Sequence, residues 1–152
     1  MGCRSARKLK NLPNARTEDI AVKKTTLLNS HLSRIISEMG HTDKLVVADA
    51  GLPIPRETER VDLAVRPGLP SFLEVLKAIL SEMEVEKIYV AEETGRISPQ
   101  LHQALKEMFP ETKWEVISHE DLKGMTKEAK AVVRTGECTP YANVILQAGV
   151  SF

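Results

Sequence analysis

Apolar positions along the chain alternate between helix-like and strand-like spacing from residue 22 onward. The first helix is predicted from apolar residues at i, i+3, i+4 and i+7, namely Leu32, Ile35, Ile36 and Met39. Asn29 or Ser30 is its expected N-cap, and Gly40 is its expected left-handed terminator. The apolar run at 45–48 follows closely and predicts a short buried strand.

Strands and helices continue to alternate through the rest of the chain. Further strands are predicted at 60–65, 87–91, 113–117, 131–134 and 144–146, and further helices at 71–83, 99–109 and 118–129. Ser71 and Glu74 form the sequence pattern of a capping box at one of the helix starts. The alternation predicts an α/β fold, with a single three-layer domain in which helices flank a largely parallel sheet.

The first 21 residues do not share this pattern. They carry basic residues without a helical or strand period: Arg4, Arg7, Lys8, Lys10 and Arg16. They also lack the apolar stretch of a signal peptide. We therefore expect residues 1–21 to be an N-terminal extension outside the fold, and residues 22–152 to form the domain.

Composition narrows the possible partners. The 21 basic and 21 acidic residues cancel, so no net charge attracts nucleic acid, and no apolar stretch reaches the ~20 residues of a membrane span. We expect neither a nucleic-acid nor a membrane partner. The two cysteines, Cys3 and Cys138, are too few for a disulfide framework, which favours a cytoplasmic protein.

Candidate acid–base residues are few. His31 and His102 lie inside predicted helices and are interpreted as surface or structural residues. His41 follows Gly40 and is either a proton-transfer residue or a cap of the preceding helix. His119 follows a strand, at the sheet edge where α/β proteins bind ligands, although a solvated first-turn residue is the alternative.

Polar residues at two other predicted strand ends are candidates for binding a small polar ligand. Asp49 ends the strand that begins after His41, and it is either a ligand of sugar hydroxyls or a turn residue bonded to Ala50 and Gly51. Tyr141 and Asn143 enter the last strand and offer uncharged hydrogen-bonding groups. The two glutamates at 92–93 are not expected to face one substrate, because adjacent strand residues point to opposite faces. His41, Asp43 and Asp49 lack a recognised metal-site spacing, and the usual nucleotide-binding motifs are absent.

Several of these segments together resemble the D-ribose pyranase family. The resemblance covers residues 22–152 and includes Gly40-His41-Thr42-Asp43, Asp49-Ala50-Gly51-Leu52-Pro53-Ile54-Pro55, Ser118-His119-Glu120 and Glu137-Cys138-Thr139-Pro140-Tyr141-Ala142-Asn143. The segments at 51–53 and 139–140 favour the ribose branch over the related fucose mutarotases. Ordered blocks of this kind are far more specific than any single motif.

The resemblance implies an isomerase that interconverts β-D-ribopyranose and β-D-ribofuranose without a cofactor or metal. It implies that His41 is the proton donor and that a second group of residues binds D-ribose: Asp49, His119, Tyr141, Ala142 and Asn143. It also implies a homo-oligomer, a ring-based decamer with sites between subunits. A fucose-type sugar mutarotase and a non-catalytic sugar-binding accessory protein are the alternative functions.

Overall fold

A computed structural model describes residues 22–152 of the chain. Its α-helices are α1 (Ser30–Glu38), α2 (Phe72–Leu80), α3 (Glu92–Ile97), α4 (Pro99–Met108) and α5 (His119–Met125), with a 3₁₀ turn at Thr126–Glu128. Its strands are β1 (Lys44–Ala48), β2 (Glu59–Asp62), β3 (Val85–Ala91), β4 (Lys113–Ile117), β5 (Ala131–Arg134) and β6 (Val144–Ala148). The predicted N-terminal extension, residues 1–21, lies outside the described residues.

The strands form one six-stranded sheet in the order β2-β5-β1-β6-β3-β4. Strand β6 runs antiparallel to both β1 and β3, whereas the other three pairs are parallel. Residues along β1 alternate between the two faces, because successive strand side chains point in opposite directions. The predicted α/β fold with a largely parallel sheet is confirmed.

Two apolar clusters lie on opposite faces of the sheet. Leu45 and Val47 of β1 pack with buried residues of α1, α2 and α4, while Val46 and Ala48 pack with Leu122 of α5. The sheet is therefore the middle of three layers, as predicted. Because β1 is buried on both faces, its sequence is a continuous apolar run rather than an alternating one.

The end of α1 differs from the prediction. The helix stops at Glu38, and Met39 is already extended at φ −71° and ψ 138°. Thr42, rather than Gly40, has the positive φ of 72°. Gly40 N instead donates to Asp43 Oδ2 at 2.8 Å, so a side-chain acceptor replaces the expected left-handed glycine.

Other helix boundaries follow from capping. Asn29 accepts a hydrogen bond from Leu32 N at 2.9 Å, and the predicted capping box of Ser71 and Glu74 is present. The predicted helix at 118–129 is shorter and ends in the 3₁₀ turn, while the short helix α3 was not predicted. Among residues 22–152, no helix has the length and apolar character needed to cross a membrane.

Candidate active site

Polar residues from several elements meet at one edge of the sheet. Parallel strands β1, β3 and β4 end there, and antiparallel β6 begins there, so their flanking loops converge. The loops enclose an open cleft of about 340 Å³, lined by Asp49, Gly51, Leu52, Pro53, His119, Lys123, Pro140 and Tyr141. A volume near the lower end of ordinary ligand pockets suits a small molecule. Three of the predicted sugar-binding residues thus share one cleft.

Asp49 is held in place by hydrogen bonds to Gly51 and Asn143. Its Oδ1 accepts from Gly51 N at 3.0 Å, so Asp49 also forms the backbone turn that was its alternative predicted role. Its Oδ2 accepts from Asn143 Nδ2 at 3.2 Å, and its own N–H donates to Asn143 Oδ1 at 3.0 Å. The carboxylate is therefore oriented at the cleft wall before any ligand arrives.

His119 and Tyr141 form a second part of the cleft wall. Their rings meet edge to face, with centroids 5.0 Å apart and an interplanar angle of 86°. Within the described residues, the buried Nδ1 of His119 has no hydrogen-bond partner. A buried polar atom without a partner is destabilising, so a ligand hydroxyl would give this nitrogen the hydrogen bond that it lacks.

Helix α3 connects the two parts of this wall. Glu93 Oε2 accepts from the backbone N–H of His119 at 3.0 Å, and Thr94 Oγ1 donates to the carbonyl of Tyr141 at 2.9 Å. Ser98, directly after α3, donates from Oγ to the carbonyl of Pro140 at 2.6 Å. These contacts hold Tyr141 at a positive φ of 60°, a sparsely populated conformation for a bulky residue.

Sequence reasoning missed these supporting residues. Glu93 was expected at a strand end, whereas the structure places it in the first turn of α3, where a carboxylate is favourable. The acidic start Glu92-Glu93 before Thr94 was the only local indication of a helix, since α3 has too few apolar residues to show a period.

Ala142 and Asn143 contribute differently from the other predicted binding residues. Both side chains are fully buried. The Ala142 methyl lies in the apolar cluster beneath α1 and α2, which leaves its backbone as the part that can meet a ligand. Asn143 contacts Asp49 from behind the cleft wall.

His41 lies at the other edge of the sheet. It precedes β1 whereas Asp49 follows it, and the five residues of β1 span about 16 Å at ~3.3 Å per residue. His41 is 53% exposed, and its Nε2 lies 2.8 Å from Glu86 Oε2. It therefore pairs with a carboxylate of β3 rather than capping α1. Within one chain, the predicted proton donor and the predicted sugar-binding residues are apart.

Glu86 has further partners around His41. Gln147 Nε2 donates to Glu86 Oε1 at 2.7 Å, and Tyr89 OH donates to Gln147 Oε1 at 2.9 Å. Hydrogen bonding to His41, followed by that to Gln147, lowers the pKa of Glu86 from its ordinary value. The carboxylate therefore stays ionised beside the imidazole at neutral pH.

Neither edge of the sheet gathers a metal-binding group. Within residues 22–152, no three histidine, cysteine, aspartate or glutamate side chains are grouped so as to hold a metal ion. The His41, Asp43 and Asp49 combination is divided by β1.

Residues 22–151 match the RbsD / FucU transport protein family. The chain belongs to this family. A D-ribose pyranase of Clostridium perfringens (strain SM101 / Type A) is 57% identical over 131 residues, which cover 86% of this chain and 100% of that protein. The resemblance identified in the sequence is thus confirmed.

Two solved structures place the chain within the family. Bacillus subtilis RbsD complexed with D-ribose is 50% identical and superposes with a TM-score of 0.83, covering 86% of this chain and 99% of that one. The fucose mutarotase of Streptococcus pneumoniae in complex with L-fucose is 29% identical with a TM-score of 0.68, covering 84% and 96%. The ribose relative is more similar than the fucose relative in both sequence and fold.

Proposed function

We propose that this protein interconverts β-D-ribopyranose and β-D-ribofuranose, an isomerase activity. The observation that carries the proposal is the cleft formed by Asp49, His119 and Tyr141 in a chain 57% identical to a D-ribose pyranase. The superposition on a ribose-bound relative agrees with it. An oriented carboxylate, an imidazole nitrogen without a partner and a phenol suit a small polyhydroxylated ligand.

The reaction requires two balanced proton movements. Ring opening removes the proton of the anomeric hydroxyl and adds a proton to the ring oxygen as its bond to the anomeric carbon breaks. Closure through a different hydroxyl reverses these steps and changes the ring size. The net reaction transfers no electrons and no phosphate, so side chains that give and take protons are sufficient.

We assign the proton-donor role to His41. An imidazole gives and takes protons near neutral pH, and a positioned acid–base group supplies roughly 10²–10⁴-fold in rate. Asp49, His119 and Tyr141 are proposed to bind the sugar hydroxyls, with Asn143 supporting Asp49 and the peptide of Ala142 lining the site. The role of His41 is supported by its exposure beside the ionised Glu86.

The separation of His41 from the cleft supports an active site shared between copies of the chain. We propose a homo-oligomer, a ring-based decamer, in which His41 of one copy completes the cleft of its neighbour. His41 is half exposed, and Val150 and Phe152 near the end of β6 are exposed apolar residues that a neighbour would cover. The proposed compartment is the cytoplasm, where an exposed thiol such as Cys138 remains reduced.

Saturation-transfer NMR on equilibrated D-ribose tests the function. Magnetisation transferred from pyranose to furanose resonances by added protein supports the proposal. Transfer only between anomers of one ring size would instead support a mutarotase, and no transfer with retained binding would support a sugar-binding accessory protein. L-fucose tested in parallel reports whether the same cleft serves the more distant branch.

A further inference from the structure

Glu86 occupies an irregular position in the sheet. The pairing of β3 with β6 joins Val85 to Ala148 and Lys87 to Gln147, so Glu86 is an extra residue on β3. Such a β-bulge leaves one residue outside the ladder and re-aims its side chain. The bulge directs Glu86 toward His41, which directly precedes β1 on the far side of β6.

The surroundings of Glu86 fit this placement closely. A Cβ added at Gly149 would lie 3.1 Å from the Cβ of Glu86, so a side chain there would crowd the bulge. On the other side, Gln147 donates to Glu86 Oε1 and is itself held by the hydroxyl of the buried Tyr89. Gln147 of β6, itself held by Tyr89 of β3, therefore fixes Oε1 of the carboxylate, while Oε2 contacts His41.

Two other charged residues of this region, Lys87 and Asp43, have partners of their own. Lys87 pairs with Glu115 and lies 4.7 Å above the ring of Tyr89. Asp43 accepts from Gly40 N and lies 3.6 Å from Lys130. The charge of Lys113 on β4 lowers the pKa of Glu86 less than the hydrogen bonds of His41 and Gln147 do. Glu86 is thus the acidic group in direct contact with the imidazole.

An ionised carboxylate accepts hydrogen bonds and cannot donate them. The Nε2 of His41 must therefore carry a hydrogen when it contacts Glu86, which leaves Nδ1 as the nitrogen that exchanges a proton. Partner groups commonly set the tautomer of a functional histidine in this way.

We infer that Glu86 is a positioning residue for His41, fixing the Nε2–H tautomer so that Nδ1 transfers the proton to and from the sugar. The inference rests on the proposed function in one respect, since it assumes that His41 is the proton donor. In the opening step, protonated Nδ1 gives its proton to the ring oxygen, which takes the electron pair of the breaking C–O bond. The anomeric hydroxyl gives its proton to a water molecule as its O–H electron pair forms the new carbonyl bond, and Nδ1 regains a proton from water.

Substitution of Glu86 by glutamine tests the inference by two independent measurements. Glu86→Gln retains the size of the side chain, but its amide can donate to Nε2 as well as accept from it. Proton-coupled ¹⁵N spectra of histidine-labelled protein are expected to show His41 as the Nε2–H form in the wild type and as a tautomer mixture in the variant. The rate of ring exchange is expected to fall about tenfold or more, with KM unchanged, since Glu86 contacts His41 and is not one of the proposed sugar-binding residues.

Two further variants make the test specific. Glu84→Gln removes the same charge two residues away, where the exposed side chain forms no ion pair with His41, and it should leave tautomer and rate unchanged. Gln147→Leu retains the charge of Glu86 but removes the hydrogen bond that Gln147 donates to it. This variant should give a smaller fall in rate than Glu86→Gln.

The inference and the proposed function fail in different ways. An Nδ1–H tautomer in the wild type, or an unchanged tautomer and rate in Glu86→Gln, would overturn the inference while ring exchange by the wild type continued. Absence of ring exchange by the wild type would overturn the proposed function. The Nε2–H tautomer and its loss in Glu86→Gln would still support the positioning contact.

Discussion

Asn143 and Asp49 exchange two hydrogen bonds that run in opposite directions. Asn143 Oδ1 accepts from Asp49 N at 3.0 Å, and Asn143 Nδ2 donates to Asp49 Oδ2 at 3.2 Å. Asn143 is fully buried, so both atoms of its amide are used within the protein. We therefore expect Asn143 to influence sugar binding through the orientation of Asp49.

Replacing Asn143 by alanine is expected to lower both stability and ribose affinity. The Asp49 N–H would lose its partner, and a buried unsatisfied group costs about 1–3 kcal/mol. Chemical denaturation measures the first effect and calorimetric titration with ribose the second. Asn29→Ala is the control, because it removes a helix cap worth about 1 kcal/mol of stability and Asn29 is not one of the cleft residues. Equal ribose affinities in both variants would contradict the proposed link from Asn143 to Asp49.

Replacing His41 by alanine is expected to abolish ring exchange without unfolding the protein. The side chain is half exposed, so its removal leaves no cavity in the core. His31→Ala is a matched control, because His31 Nε2 also lies 2.8 Å from a glutamate oxygen, that of Glu59, on the surface. Circular dichroism should be unchanged in both variants, while exchange persists only in the control. A wild-type rate in His41→Ala would remove His41 from the mechanism.

Much of the fold was predictable because its main elements have strong local patterns. The periodic residues of α1, the capping box of α2 and the apolar run of β1 each identify their element without tertiary information. Similarly, strand ends indicated Asp49 and His119, because ligands bind at the carboxyl edge of parallel sheets.

Features that depend on tertiary contacts were not predictable. Helix α3 lacks an apolar period, and its contact from Glu93 to His119 joins residues far apart in the chain. The bulge at Glu86 depends on the register between β3 and β6. No local pattern specifies either, since both arise from the packing of distant segments.

Removing residues 1–21 is expected to leave activity and oligomer mass unchanged. The cleft residues, His41 and Glu86 all lie within 22–152, and the family match begins at residue 22. Ring-exchange rates and native mass spectrometry of the shortened chain test this expectation. A smaller assembly or a slower rate would show that the segment takes part in the working protein.

Replacing His102 by glutamine is expected to reduce the sensitivity of the protein to acid. Burial, and secondarily the charge of Lys106, lowers the pKa of His102 below its ordinary value of 6.5. The unfolded chain therefore takes up this proton more readily, so the contribution of neutral His102 is complete above pH 6.5 and is lost as the pH falls through the lower folded pKa.

Melting temperatures of both proteins at about pH 7.5 and about pH 5 measure this effect. The His102 ring also packs edge to face against Trp114, with centroids 5.6 Å apart, but loss of that contact affects both pH values and cancels in the comparison. The variant should lose less stability than the wild type on acidification. An equal loss would exclude His102 as a contributor.

Mixing two inactive variants is expected to restore activity if the site is shared between copies. His41→Ala lacks the proposed proton donor, and His119→Ala lacks a cleft residue from the opposite edge of the sheet. In a ring with one type of heterologous contact, random mixing in equal amounts pairs an intact His41 with an intact His119 at about one quarter of the sites, from ½ × ½.

A second mixture distinguishes the alternatives. Wild type mixed equally with the double variant His41→Ala/His119→Ala retains about one quarter of its sites if they are shared, but about one half if each chain carries its own. A site within one chain would also give no activity in the first mixture. Native mass spectrometry verifies that the assemblies contain both chains before rates are compared. Recovery in the first mixture together with about one quarter in the second would place His41 and His119 of each site on different copies, which is the arrangement favoured by their positions at opposite ends of the strands.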